Sequence, residues 1–133
     1  MHTLIVLTLI LHVLSGVFWA GSTFTLARIG GAGAENLLRP QLACATMAVV
    51  TGALLWNLIH GGTPGRTEYI LGLGALAAIL AAAVQGFGLR AARMRANAAE
   101  AKTSHASSAA VTQRIAAALL ALTVICMAAS RYI

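Results

Sequence analysis

Apolar residues dominate this chain in four long runs, approximately 3–28, 40–60, 69–90 and 110–130, separated by three short polar connectors. At 1.5 Å per residue each run covers roughly 30 Å, the thickness of a bilayer's hydrocarbon core. The pattern predicts four helices crossing a membrane. Short connectors force neighbouring helices to run in opposite directions. The predicted fold is therefore an all-α, integral-membrane, up-down-up-down four-helix bundle. The spans and connectors use nearly all of residues 1–133, which makes one membrane domain. The first run carries no Lys or Arg ahead of it and is far longer than the h-region of a signal peptide, so it is read as a retained span.

The connectors carry signals of their own. Gly30-Gly31-Ala32-Gly33-Ala34 is a short, flexible loop, and Pro40 fits the first turn of span 2. Gly61-Gly62-Thr63-Pro64-Gly65 reads as a tight turn, with Thr67-Glu68 capping span 3. Span 3 is expected to run on past the membrane as a helix, to break at Thr103–Ser108, and to give way to span 4 under a Ser cap. Small residues let helix backbones approach closely in lipid. Gly16, Gly21, Gly72, Gly74, Gly86 and Gly88 are the expected contact points.

Charge sets the orientation. Residues 29–39 and 91–109, with the span ends beside them, carry Arg28, Arg39, Arg90, Arg93, Arg95, Lys102 and Arg114, whereas the opposite side has only Arg66 and Arg131. The positive-inside rule then puts both termini outside, periplasmic in a bacterial inner membrane, with Trp56, Tyr69 and Tyr132 near the outer interface. The net charge of +6 is thus a topology signal facing the lipid bilayer, not a nucleic-acid footprint. The two cysteines, Cys44 and Cys126, lie inside apolar runs and behave as small hydrophobes.

Polar side chains inside the spans are the candidates for chemistry. His12 lies roughly 13 Å below the outer surface, a depth at which ionisable groups mark sites. Its imidazole suits haem iron or copper, with Thr8 and Ser15 one turn away on the same face. The alternative is a histidine bonded to a neighbouring helix as interhelical glue. His60, at the end of span 2, is read as an interfacial residue or a second ligand. Met127 on span 4, or His12 of a second copy in a homodimer, are the other candidates for the second position. His2 and His60 form a possible outer metal-capture pair, and His105 is read as solvated. Gln85 is expected to bridge helices. The three acids, Glu35, Glu68 and Glu100, all lie in connectors or at interfaces, which argues against carboxylate-driven proton transport. No Walker, Rossmann, CxxC or HExxH pattern occurs.

The stretch Leu11-His12-Val13-Leu14-Ser15-Gly16-Val17-Phe18-Trp19-Ala20-Gly21 resembles the first-helix signature of the copper-resistance-D-like (CopD-like) superfamily: Leu-His, a small residue three or four places on, then Trp-x-Gly. The superfamily includes protoporphyrinogen-oxidase-type haem proteins and the membrane domains of cytochrome-linked urate oxidases. The resemblance covers residues 11–21 and the layout of the spans. It implies that His12 binds haem b or copper and that Trp19 and Gly21 pack. The intramembrane Lys and second well-placed His of the haem-oxidase members have no counterpart here. Three functions follow as expectations. The first is a small b-type haem protein, a component of a membrane oxidoreductase, exchanging electrons with a quinone or a redox partner. The second is a copper-handling protein using His12, His60 and Met127. The third is an accessory subunit of a larger membrane complex.

Overall fold

A computed structural model of the chain describes residues 1–59, 65–96 and 102–132, with side chains for all of these except Glu35, Leu89, Ala92, Arg93, Arg95, Ala96 and residues 102–107. The described residues form four α-helices: α1 His2–Arg28, α2 Ala34–Ile59, α3 Arg66–Ala96 and α4 Lys102–Ala129. No strand occurs among them. Each helix contains an apolar stretch long enough to cross a membrane: His2–Arg28, Asn36–Ile59, Arg66–Gly88 and Ser108–Ala129.

The distribution of side chains inverts that of a water-soluble bundle. The large apolar groups, among them Leu7, Leu14, Val17, Phe24, Ile79, Phe87 and Ile125, are exposed. The buried stripes consist mostly of small and polar residues at helical spacing. On α1 the stripe is Thr8, Ser15, Trp19, Thr23 and Leu26. On α2 it is Leu38, Gln41, Ala45, Ala48, Thr51 and Leu55, and on α4 Gln113, Ala116, Leu120, Thr123 and Cys126. Lipid solvates Leu and Ile as well as a protein interior does. Apolar burial therefore does not sort the helix faces, and close backbone approach and hydrogen bonding do. Trp19 is the one large apolar side chain at the centre, surrounded by Ala45, Ala48, Ala81, Ala116 and Leu120.

The most extensive helix pairings are α1 with α2 and α3 with α4, and the two pairs join through α1–α4 and α2–α3. Glycines set the closest approaches. A Cβ added at Gly74 would stand 3.0 Å from Cβ of Cys126, and one at Gly88 would stand 2.6 Å from Cγ2 of Thr112. The other expected contact points, Gly16, Gly21, Gly72 and Gly86, have nothing within 4 Å of such an atom. They face outward because helix rotation is set by the polar stripe. The turn 29–33 uses three glycines at positive φ, Gly30, Gly31 and Gly33, and Gly31 packs on the backbone of Ala109 and Ala110.

Three boundary readings change. Helix α2 begins at Ala34, so Pro40 lies at the end of its second turn and not in the first. The lost bond to the Asn36 carbonyl is tolerated at this exposed end. Thr103–Ser108 is helical, inside α4, and residues 97–101 lie outside the described residues. Thr67 lies within α3. Glu68 does cap it, accepting a 2.8 Å bond from the Gly65 N–H. The turn read at 61–64 also lies outside the described residues.

Candidate functional site

Two polar assemblies stand inside the bundle. The first is a layer near the 29–33 turn, built from one glutamine on each of α2, α3 and α4 and from the Trp19–Thr23 turn of α1. Its side chains are almost wholly enclosed: Trp19 is 2% exposed, Gln41 0%, Gln85 1% and Gln113 2%. Trp19 Nε1 donates to Gln85 Oε1 at 2.7 Å. Gln85 Nε2 donates to Thr23 Oγ1 at 2.9 Å and to Gln113 Oε1 at 3.1 Å. Gln113 Nε2 reaches Gln41 Oε1 at 3.5 Å, and Gln41 Nε2 donates to Ser22 Oγ at 3.1 Å and Thr23 Oγ1 at 3.3 Å. Thr23 returns its own proton to the Trp19 carbonyl at 2.7 Å. The bonds close a circuit through all four helices. Gln85 bridges helices as expected. Its partners Gln41 and Gln113 do not stand out in the sequence, because they lie near the starts of their apolar runs, where a polar residue reads as interfacial. Their place in a three-or-four-residue repeat of small and polar side chains was the available signal.

The second assembly is at His12, about two turns from Trp19 along α1. The half-buried ring meets α2, where Nδ1 lies 2.9 Å from the Ala48 carbonyl oxygen and 3.2 Å from Thr51 Oγ1. A carbonyl only accepts, so Nδ1 carries the proton. Nε2 is left with its lone pair and no hydrogen-bond partner among the described residues. The ring edge rests on Gly52, where an added Cβ would be 3.0 Å from Cε1. Ser15, expected to support the imidazole, instead donates to the Leu11 and His12 carbonyls of its own helix. A short hydroxyl on a helix reaches its own preceding turn more readily than a neighbouring ring. Thr8 is buried on the same helix and forms no described bond to the ring.

The remaining candidates stand apart. His2 is exposed at the start of α1, and Met127 is half-buried near the end of α4. His60 and the side chain of His105 lie outside the described residues. No three His, Cys, Asp or Glu side chains converge among the described residues. Both cysteines are free thiols. A groove of about 230 Å³ is an apolar seam between α2 and α3 lined by Leu42, Val49, Ile79 and their neighbours, and His12 does not line it.

With His12 half-exposed and the centre filled by Trp19 and alanines, a bound group would approach Nε2 from the flank of α1 and α2. No protein family, no curated protein and no solved structure matches the chain. The functional reading therefore rests on these residues.

Proposed function

We propose that this chain is a multi-pass protein of a bacterial inner membrane that holds a b-type haem through Nε2 of His12 and carries electrons to or from a quinone or a redox partner. The observation that carries the reading is the 2.9 Å contact of Nδ1 with the Ala48 carbonyl. In the neutral ring this contact holds the proton on Nδ1 and keeps the lone pair on Nε2, the form that ligates iron. Haem held there would cycle between ferric and ferrous states and so carry one electron at a time. The second axial position falls to Met127, to His60 or to His12 of a second copy. The last accords with the flank position of the ring, because two-fold symmetry brings two flanks together at equal depth.

The helices are proposed to alternate in direction, with both termini outside. The cross-helix contacts support this: 12 with 48 and 51, 22 and 23 with 41, 74 with 123, and 88 with 112 all pair ascending with descending numbers. The exposed arginines Arg28, Arg39, Arg90 and Arg114 support an inward-facing turn end, and exposed Trp56, Tyr69 and Tyr132 support an aromatic belt at the other.

One observation favours a second reading. The bundle centre is closed by the paired glutamine layer, which suits an accessory subunit that packs rigidly on a larger membrane complex. Copper handling by His12, His60 and Met127, with His2, is the third reading. An absorption spectrum of the detergent-purified protein, oxidised and dithionite-reduced, with a pyridine-haemochrome assay, separates them. A haem b spectrum that His12→Ala abolishes supports the first. A featureless spectrum from haem-replete cells overturns it, and metal analysis and partner co-purification then divide the other two.

A further inference from the structure

We infer that Thr51 and Gly52 are positioning residues that seat His12 as an Nδ1–H imidazole, which keeps Nε2 as its lone-pair donor. The inference rests on the reading of His12 as a ligand, but the seat is measurable with no ligand bound.

Ala48, Thr51 and Gly52 lie three and four residues apart and so share one face of α2. That face meets the ring with three different functions. The Ala48 carbonyl accepts from Nδ1–H at 2.9 Å. Thr51 Oγ1 lies 2.6 Å from the Met47 carbonyl, which commits its hydroxyl proton there. The oxygen is left to act as a second acceptor for the same N–H at 3.2 Å. Gly52 provides the space, since a Cβ at that position would stand 3.0 Å from Cε1 and 3.4 Å from Nδ1. Moving the proton to Nε2 would set the Nδ1 lone pair against the Ala48 carbonyl oxygen at 2.9 Å, which disfavours that tautomer. A histidine serving only as glue requires one such bond. A second acceptor and a glycine fitted to the ring edge restrict its tautomer and its tilt as well. Such restriction serves a group binding at Nε2, an electron-pair acceptor such as a metal centre, because the orientation cost is met before binding.

The test uses full-length protein in detergent with ¹⁵N-labelled histidine, free of cofactor, the His12 signals being those lost in His12→Gln. The ¹⁵N shifts and one-bond couplings are expected to place the proton on Nδ1. Gly52→Ala is expected to move population to the Nε2–H tautomer that unconstrained histidine prefers, and to weaken haem b binding, followed at the Soret band, by about 10–100-fold. Thr51→Val is expected to give a smaller shift in the same direction, and Thr51→Ser to restore wild-type behaviour. This pair carries the test where Gly52→Ala does not fold. A wild-type proton on Nε2, or a tautomer unmoved by both Gly52→Ala and Thr51→Val, overturns the seat even where haem binds. The expected tautomer and its expected response in protein that takes up no haem leave the seat standing and overturn the haem reading.

Discussion

The glutamine layer and the His12 seat are both polar groups placed in an apolar bundle, and they handle their hydrogen bonds in opposite ways. In the layer, polar atoms from four helices satisfy one another: Gln85 uses its oxygen and both amide hydrogens, and the Trp19 indole is spent on it. At His12 one ring nitrogen is bound to α2 by two acceptors and the other is bound to nothing described. An unpaired polar atom away from water is costly. A chain that pairs its glutamines so completely and leaves Nε2 open beside them separates two tasks. The layer fixes how the helices meet, and on the proposed reading the histidine offers an atom to a bound group. Burial alone does not make that distinction, since the glutamines are the more deeply buried. The unpaired atom makes it.

The contrast breaks most visibly at Gln85. Gln85→Leu removes three bonds and orphans the Trp19 indole and the Gln113 amide, each worth about 1–3 kcal/mol. This is expected to be the largest loss, read as a lowered midpoint of SDS unfolding in mixed micelles together with a change in tryptophan emission. Any haem bound by protein that remains folded should keep its spectrum. His12→Ala is expected to be the converse: on the proposed reading it abolishes the Soret band, and it costs only about 1 kcal/mol, the scale of one interhelical bond in lipid. Equal effects of the two variants on both readouts would dissolve the distinction. Trp19→Phe leaves the Gln85 oxygen without its donor and is expected to cost about 1–3 kcal/mol by the same unfolding assay.

Smaller effects sharpen the picture. Gly74→Ala forces a Cβ against Cys126 and the Thr123 carbonyl, and overpacking of that kind costs about 1–3 kcal/mol. Gly16→Ala meets nothing within 4 Å and is expected to stay within about 0.5 kcal/mol of the parent. A matched pair of thermal-unfolding curves checks both, and equal destabilisation would show that the glycine faces are assigned wrongly.

How much was legible in advance differs by residue. His12 stood out because an ionisable group deep in an apolar run is costly wherever it points. Gln85 stood out for the same reason, and its bridging role followed from the lack of water to satisfy it. Gln41 and Gln113 did not, because position near a span end removes that cost argument. Ser15 and Thr8 were credited with supporting the ring on the strength of helical spacing, which says which residues share a face but not what stands opposite. Gly16 and Gly21 were credited with contacts on composition alone. The run of α3 past residue 90 is legible in the sequence, whereas the start of α4 at Lys102 is not, because hydropathy sees the span and not the helix that carries it.

What the sequence by itself determined is the set of four membrane-length helices and the one histidine deep in an apolar run, since each follows from local chemistry and the thickness of a bilayer. Only the tertiary structure decided which hydroxyl and carbonyl hold His12, which glycines bring backbones together, and which residues close the polar layer. Those outcomes depend on the rotation of each helix about its axis. In a chain whose outside is as apolar as its inside, hydrophobic periodicity cannot set that rotation. Hydrogen bonds and close packing between residues as far apart in sequence as Thr23 and Gln85 set it instead.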